Sequence, residues 1–362
     1  MNRRERLGIV AIAASAAVVI SGAALFGARA QDRGRRGEKH AMTSTIAFVS
    51  TRHAPPPGEN PLHASQVYLM DGDGSNVRRL TENVHMDNFP ALSPDGTRIV
   101  FESNRFRAEG EPVNTSHLFL MNVDGSAQTP LVRGNSGTWS PDGKRIAFHA
   151  SASGAGRLVS GLPGAAAADS DLFVLHVNDF LRRGALPKNI TNNPAAIDDD
   201  PDWSPDGRRI VFTSHAAADD HNNAVTTEIY MLAQNRKGKP VRLTDNAEEE
   251  RAPSWSPDGT RIVYCCRKGS PEREGGIGSF EICVMNADGT GQRRLTNNRI
   301  GDLTPTWSPD GAKIMFHRRV GGSGQFQLFL INADGTGERQ VTNPPGLSGF
   351  PNWGEVRGRG PR

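Results

Sequence analysis

Four carboxylates recur at one position of this 362-residue sequence. Asp87, Asp198, Glu250 and Asp302 each stand three residues before a proline, at Pro90, Pro201, Pro253 and Pro305. Like charges that a fold brings together raise one another's pKa values or recruit a cation. An all-oxygen donor set suits a hard ion, Ca2+ or Mg2+, or the basic segment of a partner. The structural alternative is that each carboxylate caps N–H groups of an adjacent loop. Arg52, Arg105, Arg267, Arg318 and Arg319 stand where they can pair with these acids from neighbouring units. His85, His149, His215, His221 and His317 offer a second donor set for a metal, although loop histidines are most often solvated.

A further row of acids (Asp95, Asp142, Asp206, Asp258 and Asp310) belongs to five copies of Ser-Pro-Asp-Gly. Proline presets φ, Asp tolerates the bend and Gly takes positive φ, so these are turns rather than a catalytic ring. "NADGTG" shares only its Asp-Gly with a calcium loop. No Gly-x-Ser-x-Gly is present, so nucleophilic hydrolysis has no support.

The elements that must position these residues are themselves repeated. The tetrapeptide starts at Ser93, Ser140, Ser204, Ser256 and Ser308, at intervals of 47, 64, 52 and 52 residues. Tryptophan precedes four copies, and the remaining tryptophan, Trp353, lies in "FPNWGE", a truncated copy. A period of this length marks a propeller or solenoid. Each unit reads as four short strands, a to d, with a turn at Ser-Pro-Asp-Gly and a second at Asp-Gly. Strand b recurs as "TIAFVS", "RIVFES", "RIAFHA", "RIVFTS", "RIVYCC" and "KIMFHR". Thr45 opens directly on a strand b, whereas the last copy is a strand a with nothing after it. The fold expected is all-β: a six-bladed propeller of four-stranded blades over residues 45–354, closed by pairing the C-terminal strand with the N-terminal three. Closure of this kind removes exposed sheet edges.

The combination "PxWSPDGxxIxF…IYxMNxDGTxxRxLT" resembles the TolB-like (WD40-like) β-propeller repeat family across Thr45–Gly354. The resemblance implies a scaffold that engages partners, here without the α/β domain that precedes the propeller in TolB. It also brings two other propeller uses into view, metal-dependent enzymes and the cap of prolyl-oligopeptidase-like peptidases.

Residues 1–30 carry Arg3, Arg4 and Arg6, an apolar run and "ARA", the pattern of a signal peptide. The run is also long enough to anchor an uncleaved chain in a membrane. Residues 31–44 read as a disordered polar arm and 355–362 as a disordered tail. The formal charge is +3, and the first thirty residues contribute four arginines against one glutamate. The remainder is therefore balanced, and a nucleic-acid partner is not expected. Of three cysteines, Cys265 or Cys266 on strand b can reach Cys283 on strand c, with free buried thiols as the equal alternative.

Function is expected on the face of the b–c and d–a connections, because the b–c loops are long and unlike one another. The reading is an exported, periplasmic or secreted, non-enzymatic monomer. It would bind a protein or peptide at the channel mouth through Asp87, Asp198, Glu250, Asp302, Arg52, Arg105, Arg267 and Arg318, with Ca2+ or Mg2+ in the channel as the associated ion. The alternatives are a metal-dependent polysaccharide lyase or hydrolase, and a glycan or small-ligand sensor.

Overall fold

The computed structural model describes residues 42–53, 65–107, 115–151, 170–193, 196–216, 227–234, 239–246, 248–267, 280–298, 300–321 and 325–357. The expected signal peptide, most of the polar arm, His221 and most of the long b–c connections lie outside them. Among the described residues no helix is long and apolar enough to cross a membrane.

Six four-stranded antiparallel sheets form the blades. Blade 2 is representative: strand a Asp87–Leu92, b Arg98–Ser103, c His117–Asn122 and d Thr129–Arg133. Blade 1 draws its strand a, Ser348–Arg357, from the far end of the chain and pairs it with strand b, Met42–Ser50. Pairing runs from Met42–Arg357 to Ser50–Ser348, three residues beyond the expected limits at each end. Both faces of each sheet are apolar, so burial happens between blades. There are six buried clusters, one per seam, and the last joins Ile46, Phe48 and Tyr68 of blade 1 to Met315, Leu328 and Leu330 of blade 6.

The recurring tetrapeptide closes each a–b hairpin. Ser140 Oγ donates to Asp142 Oδ1 at 2.5 Å and accepts the Arg145 N–H at 3.0 Å, while Asp142 Oδ1 accepts the Lys144 N–H at 3.1 Å. All five glycines have φ of 64–69°, which a side chain would disfavour. Hydrogen bonds from serine hold these aspartates below the usual carboxylate range despite partial burial, Asp258 at about 2. One oxygen of each, Oδ1, is occupied by the turn. Blade 3 departs from the repeat: where blades 1, 2, 5 and 6 have a c–d turn, it places helix α1, Val177–Arg183, ended by Gly184 in the left-handed region.

Candidate functional site: the central channel

Every strand a carries a bulge at the same place. Phe89, Ser136, Asp200, Ala252, Thr304 and Phe350 have φ of 46–50°, and the pairing register slips across each of them. Proline follows in five blades and Gly137 in the sixth. A left-handed β-branched or aromatic residue is costly and persists only where its surroundings enforce it. Here the surroundings are the preceding blade. Thr213 Oγ1 accepts the Ala252 N–H at 3.2 Å, and His317 Nδ1 accepts the Phe350 N–H at 3.1 Å. A Glu102 carboxylate oxygen accepts the Ser136 N–H, and the Cys265 sulfur meets the Thr304 N–H. These acceptors all occupy position five of strand b, so in four blades one side chain clamps the next blade's bulge. Blade 1 has Val49 there, and in blade 3 the buried His149 Nδ1 has no hydrogen-bond partner among the described residues.

The bulges line the channel. The bulge residue, the residue after it and the second after it surround a cavity of about 140 Å³. Its wall is uneven. Blades 1 and 2 contribute Phe350 and Phe89, whose rings lie 4.1 Å apart. Blade 4, across the ring from Phe350, contributes Asp200 and Asp202. Ser136 Oγ donates to Asp200 Oδ1 at 3.1 Å, and the Trp255 N–H donates to Asp202 Oδ2 at 2.8 Å. Burial, reinforced by Asp199, pushes Asp200 up to about 7; burial alone outweighs the hydrogen bonds at Asp202, raising it to about 6. Glu102, buried beside them, is raised to about 8 by desolvation. The channel therefore has an aromatic half and an acidic, partly protonated half.

None of Asp87, Asp198, Glu250 and Asp302 lines this cavity; they stand two residues before each bulge and are buried. Arg105 Nη2 donates to both oxygens of Asp87 at 3.0 Å, and Asn83 Nδ2 donates at 2.7 Å. Arg318 grips Asp302 at 2.6 and 2.9 Å, with Asn298 Nδ2 at 2.8 Å. Asp198 accepts from Ser214 Oγ at 2.6 Å and is raised to about 6 by burial. Glu250 accepts from Asn246 Nδ2 at 2.9 Å and shares a hydrogen bond with the Glu228 carboxyl; burial first and that neighbour next raise it to about 8. Gly134 stands at this position in blade 3, where an added Cβ would lie 2.4 Å from Phe148. Three of the four acids are thus tied to asparagine side chains of the d–a connections rather than to loop N–H groups, and Asp198 is held by Ser214 of its own strand b.

The arginines pair within their own blades, not across seams as expected, because strand b returns alongside its own strand a. Arg105 and Arg318 also lie over Phe119 and Phe329 at 4.5 and 4.6 Å and reach Gln128 and Glu338 in the c–d turns. Arg267 pairs with Glu249. Arg52 donates to Ser50 Oγ at 3.1 Å and Ser348 Oγ at 3.3 Å, since blade 1 carries no acid there. His317 is buried, with its pKa lowered to about 3 by desolvation, and its Nδ1 lies 2.8 Å from Thr304 Oγ1. His215 Nε2 lies 3.6 Å from Asp199. Among the described residues, no three His, Cys, Asp or Glu side chains converge in a way that could hold a metal ion. Cys266 and Cys283 form a disulfide across strands b and c of blade 5, with a Cα–Cα distance of 5.9 Å, and Cys265 is free and buried.

Two features of the candidate site, the bulge and the shared role of position five of strand b, are not among the expectations drawn from the sequence. The bulge was invisible because its residues share no chemistry, although the recurring X-Pro marked its place. Position five of strand b (Glu102, His149, Thr213, Cys265, His317) is polar in an otherwise apolar strand, and that contrast was a usable signal.

A family model described as the TolB beta propeller domain matches residues 162–357, more than half of the chain. The chain is 28% identical over 116 residues to the uncharacterized peptidase YuxL of Bacillus subtilis. It is 32% identical over 108 residues to the Tol-Pal system protein TolB of Anaeromyxobacter dehalogenans. These matches cover 32% and 30% of this chain and span only 16% and 21% of those proteins. The crystal structure of TolB from Acinetobacter baumannii superposes with a TM-score of 0.63 at 19% identity, over 86% of this chain and 66% of that one. Six blades, a strand-swapped closure and the matched repeats agree: the chain belongs to the TolB β-propeller domain family.

Proposed function

We propose that this protein is exported to the cell envelope and acts there as a binding scaffold, engaging a protein or peptide partner at the channel mouth on the side of the b–c and d–a connections. The observation that carries this is the row of six bulge side chains of five different types. The six backbones share one left-handed bulge, clamped by the preceding blade at four of them, while their side chains vary from Phe89 and Phe350 to Asp200. Rigid backbones that present varied side chains are the usual construction of a recognition surface. A cavity of about 140 Å³ is close to what accommodates a single benzene-sized group. It suits an inserted side chain better than a sugar chain. The relative named for the Tol-Pal system favours an envelope partner.

The test is affinity capture from envelope extract, with bound proteins identified by mass spectrometry. Phe350→Asp, at the mouth, should lose the partner, while Lys144→Glu, on the Ser-Pro-Asp-Gly side, should keep it. Equal capture by both, or no partner with wild type, would refute the reading. Mass spectrometry of the mature chain should find Gln31 at its N-terminus.

A further inference from the structure

Five of the six seams present a strand-a tryptophan, and at four of them a cation covers the indole. Arg98 lies 4.9 Å from the Trp139 ring centre, Arg145 4.5 Å from Trp203, Arg209 4.5 Å from Trp255 and Arg261 4.6 Å from Trp307. Each arginine is the first residue of strand b in the preceding blade, and each of these tryptophans is buried. The seam between blades 6 and 1 differs. The equivalent first residue is Lys313, which is exposed, and among the described residues no cation stacks on Trp353.

Trp353 is half-buried, and its indole N–H is already satisfied by Ser44 Oγ at 2.8 Å. A cavity of about 440 Å³ opens on the ring, lined by Asp71, Asp73, Asp310 and Glu355 against Lys313 and Arg339. The wall is therefore acidic by two charges. Hydrogen bonds from Ser75 and Ser308 hold Asp73 and Asp310 below the usual carboxylate range, so both are ionised at neutral pH. Gly72 keeps the ring edge open. The same turn position carries Val123, Ala287 and Ala333 elsewhere, but a Cβ at Gly72 would come within 3.4 Å of the indole and 2.4 Å of Ser44 Oγ.

We propose that this seam is a binding site for a guanidinium group, the arginine side chain of a partner protein, which stacks on Trp353 and bonds the carboxylates of Asp71, Asp73 and Asp310. The protein itself supplies the precedent, because the same ring accepts a guanidinium at four other seams. A guanidinium can stack on an aromatic face while its in-plane N–H groups engage carboxylates, which a compact ammonium does less well. The site lies on the Ser-Pro-Asp-Gly face and does not depend on the reading of the channel mouth.

The indole N–H resonance of Trp353, assigned through Trp353→Phe, reports occupancy in the full chain. Titration with N-acetylarginine amide should give a saturable shift confined to that resonance. The neutral isostere N-acetylcitrulline amide should bind about tenfold more weakly. Lys313→Arg supplies the missing cation from blade 6, so it should abolish the shift while raising the melting temperature. No saturable shift, equal affinity for the citrulline compound, or undiminished binding in Lys313→Arg would overturn the proposal. A chain in which Arg33, Arg35 and Arg36 are replaced by Gln should bind like wild type. If only that variant binds, the occupant is the chain's own basic segment, and the partner is excluded.

Discussion

Replacing Arg105 with methionine should destabilise the propeller by about 3–5 kcal/mol, the range for breaking a buried ion pair from one side. Asp87 is 0% exposed and the Arg105 side chain 19%. At the 3.0 Å separation and an effective dielectric constant of about 20, their attraction is about 5 kcal/mol. Methionine preserves much of the apolar cover over Phe119 but removes the charge, leaving the carboxylate with Asn83 alone among the described side chains that now hold it. Changing Asp87 to Asn in the same chain removes the stranded charge, so the double variant should recover more than half of the loss. Urea unfolding monitored by tryptophan fluorescence measures each step, and the coupling between the two substitutions isolates the pair. If Arg105→Met kept the wild-type midpoint yet lost partner capture, the pair would be a ligand site held in reserve. Its assignment as a structural ion pair would then be wrong.

Three further outcomes follow from the same geometry. Glu102 and Glu250 are raised to about 8, above the value of about 4.3 in an unfolded chain, so the folded protein holds protons that the unfolded one releases. Their contribution is fully present below pH 4.3 and is lost as pH rises through 8; melting temperature should fall between pH 5 and 9, and Glu250→Gln should flatten that slope. Thr213→Ala leaves the Ala252 N–H without its acceptor and should cost about 1–3 kcal/mol in urea unfolding. Thr213→Ser should cost much less, and equal losses would dismiss the clamp. Replacing Cys266 and Cys283 together with Ser should cost about 2–4 kcal/mol, whereas reducing agent should leave the stability of that double variant unchanged.

The number of blades and the closing strand were legible because they rest on turn chemistry and on strand patterns repeated six times. Trp139, Trp203, Trp255 and Trp307 each announce a seam. The paired roles of Asp87 and Arg105 were only half legible. Equivalent positions in a repeat show that residues do the same thing, yet whether they meet around the axis or within a blade depends on where strand b turns back. Helix α1 was hidden for a different reason. Seven residues, "VNDFLRR", form it because Phe180 packs onto the cluster between blades 2 and 3 and Gly184 ends it, and neither fact is local to the sequence.

The repeat also indicates where to look for recognition, by subtraction. A side chain that recurs in most blades is occupied by the ring. The serine-aspartate turns close hairpins, the arginines at Arg98, Arg145, Arg209 and Arg261 cover indoles, and asparagines such as Asn83 and Asn298 hold the buried acids. Selection for stability alone would favour the same residue wherever the surroundings repeat. Departures need a separate cause. Phe89 and Phe350 face Asp200 across the channel although the backbone beneath them is six-fold alike, and Lys313 stands where arginine would have sealed Trp353. Restoring the arginine would cost nothing sterically evident, since the same pairing fits at four seams within 4.5–4.9 Å. The open indole therefore forgoes a stacking contact of about 0.5–2 kcal/mol, a loss that a bound guanidinium would restore.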